Sequence, residues 1–161
     1  MKILVIGMGQ TLRGDDAAGS EAVRRWQADY PATASRAEVT VEFSELPGLA
    51  LLDLLDGYDA GILVDAVQTT AAAGTIFRLG LAELESFDTA AKSAHGWGVA
   101  ESLELDQQLN RSRPPRLVRI VGIQAQQLEL GHKLSTAVEN AMPAAADAIE
   151  KEIQAFLRPT P

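Results

Sequence analysis

The 161-residue chain has no cysteine. That absence removes disulfides, thiolate-held zinc, iron–sulfur ligation and a cysteine nucleophile, so any metal it meets must be gripped by oxygen and nitrogen. Histidine is scarce too, with only His95 and His132 present. Positive charge is in deficit: 14 Lys and Arg face 22 Asp and Glu, and the net charge of −8 repels a phosphate backbone and argues against a nucleic-acid partner. No apolar run approaches the roughly 18 residues needed to span a bilayer. The opening run Ile3-Leu4-Val5-Ile6 stops at Gly7, too short for a signal peptide, and no lipidation signal is found. The expected setting is the cytoplasm, with no membrane partner. Two catalytic motifs are missing as well. There is no Gly-Lys-Ser or Gly-Lys-Thr of a nucleotide-binding loop and no Gly-x-Ser-x-Gly elbow of a serine hydrolase.

What is present suffices for one folded core. Apolar residues make up 47% and charged residues 22%, near the globular average, and the length predicts a single domain over residues 1–161. Ile3-Leu4-Val5-Ile6 is mostly β-branched and ends in glycine, the pattern of a first, central strand buried on both faces. Ala22, Val23 and Trp26 recur at helical spacing after Gly19 and predict a covering helix. Val39, Val41 and Phe43 alternate with polar residues, as in a strand that is half buried or near an edge. A leucine-rich helix follows over residues 49–55, closed by Gly57. Ile62-Leu63-Val64 repeats the buried-strand pattern and runs into Asp65 at its expected carboxyl end. Residues 75–79 read as another strand, 96–109 as a helix and 116–124 as a last strand. From Ser135, a possible cap, Val138, Met142, Ala145, Ile149, Ile153 and Phe156 form one apolar helical face that Pro143 should kink or split. Strands alternating with helices predict an α/β fold, a three-layer α/β/α sandwich with a mostly parallel, twisted sheet.

Gly7, Gly9 and Gly14 follow the first strand, where a dinucleotide-binding protein places its phosphate loop, but the third glycine of that fingerprint would fall on Leu12. The loop instead carries adjacent carboxylates, Asp15 and Asp16, which oppose an anion and favour a cation. Capping of the helix would occupy one of them. Asp65 ends an apolar strand, and ligand crevices in open α/β sheets lie beyond such ends. His95 sits among small residues in Ser93-Ala94-His95-Gly96, and His132 reads as a surface residue. If Asp16, Asp65 and His95 converge, they make an oxygen, oxygen, nitrogen set with open positions, suited to nickel or zinc.

Ile3-Leu4-Val5-Ile6-Gly7-Met8-Gly9, Leu12-Arg13-Gly14-Asp15-Asp16 and Gly19 together resemble the opening of the hydrogenase maturation proteases. The likeness continues through Leu63-Val64-Asp65-Ala66-Val67, Gly74-Thr75, Ser93-Ala94-His95, Val121-Gly122-Ile123-Gln124 and Leu134-Ser135. It implies an endopeptidase that trims the C-terminal tail of a nickel–iron hydrogenase large-subunit precursor once nickel is in place. It further implies that Asp16, Asp65 and His95 contact the metal, that Asp16 and Asp65 are the catalytic candidates, and that the nickel arrives with the precursor. Two schemes remain open: the metal polarises the scissile carbonyl or a water, or it only docks the substrate while a carboxylate activates water. A non-catalytic chaperone that recognises a metal-loaded precursor would need the same ligands. The chain departs from the family pattern at Gln10 for Asn, Asp16 for Glu, Ala125 for Pro, and Phe43-Ser44-Glu45-Leu46-Pro47-Gly48 in place of an Asp-Gly-Gly-Thr segment.

Overall fold

A computed structural model describes residues 1–45, 49–80, 83, 92–93 and 117–158. Strand β1 is Ile3–Met8, buried throughout. A 3-10 turn, Gly14–Ala17, leads into α1, Ala18–Asp29, which is followed by the short α2, Pro31–Ala34. Then come β2, Val39–Ser44, and α3, Leu49–Leu55. Strand β3, Ala60–Gln68, is followed by β4, Ile76–Gly80, and the two-residue β5, Lys92–Ser93. Strand β6, Leu117–Gln124, precedes the long α4, Thr136–Leu157. The helix expected over residues 96–109 lies outside the described residues.

The sheet runs β2-β1-β3-β6-β4, with β5 on β3. Pairings of β1 with β2 and β3, and of β3 with β6, are parallel; β4 on β6 and β5 on β3 are antiparallel. The mostly parallel α/β architecture is therefore as the alternation implied, and β2 does lie at an edge. Strand β1 is interior, but β3 holds the centre of the path. This corrects the expectation from sequence: both strands are buried on both faces, so apolar content alone could not rank them.

Alternation along the strands fills two layers. Ile3, Val5, Ile62, Val64, Val121 and Ile123 pack against Trp26 of α1 and against Val138, Ala145, Ile149 and Ile153 of α4. Leu4, Ile6, Met8, Leu63, Val118 and Ile120 face Leu51 and Leu55 of α3. Helix α4 continues through Pro143 as one element. Pro143 and Glu139, whose carbonyl loses its usual donor, both stand on the exposed side, while buried Val138, Met142, Ala145 and Ala146 hold the helix to the sheet. Polar pins fix the same helix: Trp26 Nε1 donates to Glu150 Oε2 at 2.9 Å, and the buried Glu152 carboxylate takes Arg78 of β4 at 2.6 Å and Arg119 of β6 at 3.4 Å. Among the described residues no helix is long and apolar enough to cross a membrane.

Candidate functional site

The carboxyl end of β1 and the middle of β3 meet the start of α1. Their last register pair is Gly7 with Val64, so Asp65 stands one residue beyond the end of that ladder. It is not the end of the strand, as its sequence position suggested. Strand β3 runs on to Gln68, because β6 still pairs with it through Val67 and β5 takes up Val67 and Gln68. Since β6 occupies one edge of β3, β5 fills the edge that β1 has vacated. Asp65 projects on the α3 side with Leu63, and its neighbour on β6 is Gly122. A Cβ at Gly122 would come within 3.1 Å of the Val67 side chain, so glycine leaves room for Val67 there. Asp65 is 6% exposed, and its Oδ1 accepts the Ala66 N–H at 2.8 Å.

The loop after β1 folds back to the same edge. Gly9 has φ +125°, and a Cβ there would lie 1.7 Å from the Asp16 carbonyl oxygen, so only glycine allows this turn. Its N–H donates to the Ser44 carbonyl at the end of β2. Asp16, 4% exposed, accepts the Gln10 N–H on Oδ2 at 3.0 Å. Three residues on, Gly19 sits so close to the sheet that a Cβ would meet the Val64 and Met8 carbonyl oxygens. The turn bearing Asp16 and the strand bearing Asp65 therefore share one edge.

Asp15 has a different task. It is fully buried, and its carboxylate accepts the N–H groups of Gln126 at 2.8 Å, Gln127 at 3.0 Å and Ser135 at 2.6 Å, together with the Ser135 hydroxyl at 2.8 Å. The capping expectation is thus corrected: neither the 3-10 turn nor α1 has a side-chain cap, Asp15 turns to the β6–α4 connection, and Asp16 accepts the Gln10 N–H of its own loop. Ser135 does occupy the N-cap position of α4, but its hydroxyl is given to Asp15 and not to its own helix. No local pattern signals this, because the partners are 111 to 120 residues apart.

The β6–α4 connection clamps the loop further. Gly14 N–H donates to the His132 carbonyl at 3.0 Å, Asp15 N–H to that of Gln127 at 2.8 Å, and Gly131 N–H to that of Leu12 at 2.7 Å. The His132 side chain is half exposed, with Nε2 3.3 Å from Glu129, in keeping with a surface histidine. Ala125 N–H donates to the Val67 carbonyl at 2.9 Å, a bond that proline could not make. His95 and residues 46–48 of the divergent segment lie outside the described residues. Among the described residues no group of three His, Asp or Glu side chains forms a metal-binding set.

Comparison with known proteins gives this geometry its context. A family model described as hydrogenase maturation protease matches residues 46–152. The hydrogenase expression/formation protein HupD of Rhizobium leguminosarum bv. viciae is 27% identical over 157 residues, covering 96% of this chain and 75% of that protein. The hydrogenase maturating endopeptidase HybD from E. coli has a solved structure that is 25% identical and superposes with a TM-score of 0.78, covering 98% of this chain and 94% of that chain. In fold, the [NiFe] hydrogenase maturation protease HybD from Thermococcus kodakarensis is similar as well, with a TM-score of 0.69 at 24% identity over 95% of this chain and 99% of that one. With two thirds of its length matched by the family model, the chain belongs to the hydrogenase maturation protease family.

Proposed function

We propose that this protein is the endopeptidase that removes the C-terminal extension of a nickel–iron hydrogenase large-subunit precursor after nickel insertion. The observation that carries the reading is the placement of two buried carboxylates at one edge, Asp16 in the turn after β1 and Asp65 one residue past the last β1–β3 pair, on the side where open α/β sheets receive ligands. Oxygen donors of this kind suit a divalent cation. In this reading His95 is the third donor, as the family resemblance implies. Ser93, two residues before His95 in the sequence, pairs with Val67, two residues past Asp65.

In this reading the nickel belongs to the substrate, and Asp16, Asp65 and His95 contact it to set the precursor tail in register. A carboxylate at the edge then takes a proton from water as the water oxygen adds to the scissile carbonyl carbon. The carbon–nitrogen bond breaks, and the departing amine receives a proton. Substrate-borne nickel supplies Lewis acidity to the same step.

The test is incubation of the purified protein with nickel-loaded and nickel-free large-subunit precursor, followed by mass spectrometry of the precursor. The expected result is loss of the C-terminal tail from the loaded form alone. Binding of the loaded form without cleavage overturns the peptidase reading in favour of a metal-recognising chaperone, and equal cleavage of both forms removes nickel from recognition.

A further inference from the structure

We propose that Asp15 is a positioning residue: through its buried carboxylate, the β6–α4 connection sets where the Asp16 carboxylate stands. This rests on the reading of Asp16 as a substrate contact. The four donors to Asp15 come from Gln126, Gln127 and both the amide and the hydroxyl of Ser135, and none comes from the loop that Asp15 belongs to. A fully buried carboxylate held by four donors has little freedom to move. Asp16 is the next residue, and its backbone is wedged against Gly9, where no Cβ would fit. Its N–H reaches back to the Arg13 carbonyl at 3.1 Å, and its Oδ2 holds the Gln10 N–H. A shift of Asp15 is therefore passed to Asp16 through a rigid turn and not absorbed by a flexible one. The connection also contacts the loop through Gly14 and Leu12, so the β6–α4 segment and the Asp16 loop form one hydrogen-bonded block. Holding a contact group in place in this way is the role of a supporting shell around a reactive group.

Asp15→Asn would test this but risks unfolding, since an amide nitrogen would face buried donors. Ser135→Ala removes one donor and keeps the backbone N–H, and Ser135→Thr restores the hydroxyl. Two measurements are made on wild type and both variants: kcat and KM for nickel-loaded precursor, and hydrogen exchange of the Gln10 amide, which reports the Asp16 carboxylate without any catalysis. For Ser135→Ala the expected results are a kcat lowered by about tenfold at unchanged KM, and faster exchange at Gln10 with Val5 and Val64 in the core unchanged. Ser135→Thr should restore both. Wild-type kcat in Ser135→Ala, or a lowered kcat without faster Gln10 exchange, overturns the inference. If wild type itself leaves the precursor uncut, the proposed function fails, and the Gln10 exchange alone decides whether Asp15 governs Asp16.

Discussion

Asp16→Asn is expected to lower the rate of tail release from nickel-loaded precursor by at least about 100-fold, the lower end of what a positioned acid–base group contributes. Stability should hardly change. Asn matches Asp in shape and retains a carbonyl oxygen for the Gln10 N–H that Asp16 now accepts at 3.0 Å, so the loop keeps its turn. What is lost is the negative charge that favours a divalent cation at this edge. His95→Ala should produce a similar loss of processing. Timed mass spectrometry of the precursor, beside thermal melting of each variant, checks the claim. Processing by Asp16→Asn at the wild-type rate would remove Asp16 from the site.

A large effect on stability is expected from Gly19→Ala. Alanine normally improves a helix by about 1 kcal/mol over glycine, so propensity alone predicts a gain. Here the added Cβ would lie 2.2 Å from the Val64 carbonyl oxygen and 2.5 Å from that of Met8. Both obstacles are backbone in the two innermost strands, and neither can turn aside as a side chain would. Helix α1 must lift from the sheet, disturbing Ala22, Val23 and Trp26 in the core. A cost of about 3 kcal/mol, the upper end of ordinary overpacking, corresponds to a fall in Tm of roughly 6–12 °C for a chain of this size. Calorimetry reads it directly. A Tm equal to or above that of wild type would show that α1 does not seat on the strand ends as described.

The parts of the fold that were legible in the sequence are those set by local pattern. The runs Ile3–Ile6 and Ile62–Val64 identified buried strands because continuous β-branched and aliphatic residues have few other homes, and the α4 stripe from Val138 to Phe156 is buried as its spacing implied. Antiparallel β4 and the extension of β3 past Asp65 were not legible, since strand direction and length depend on which neighbours remain to pair. Asp65 thus read as a strand end when β6 and β5 in fact carry the ladder onward. The same limit separates the two adjacent aspartates. Side by side in sequence, Asp15 and Asp16 differ only in what the fold brings to them: four donors from the β6–α4 connection for one, the Gln10 amide and the sheet edge for the other. Glu152 was hidden for a related reason. Its buried carboxylate is tolerable only because Arg78 and Arg119 arrive from two different strands.

The most direct test of the account is diffraction at the nickel absorption edge from crystals of this protein soaked in millimolar nickel. An anomalous peak bonded to carboxylate oxygens of both Asp16 and Asp65, and lost in Asp16→Asn, is the predicted result. A peak bound elsewhere, or one at this edge that touches neither carboxylate, would contradict it.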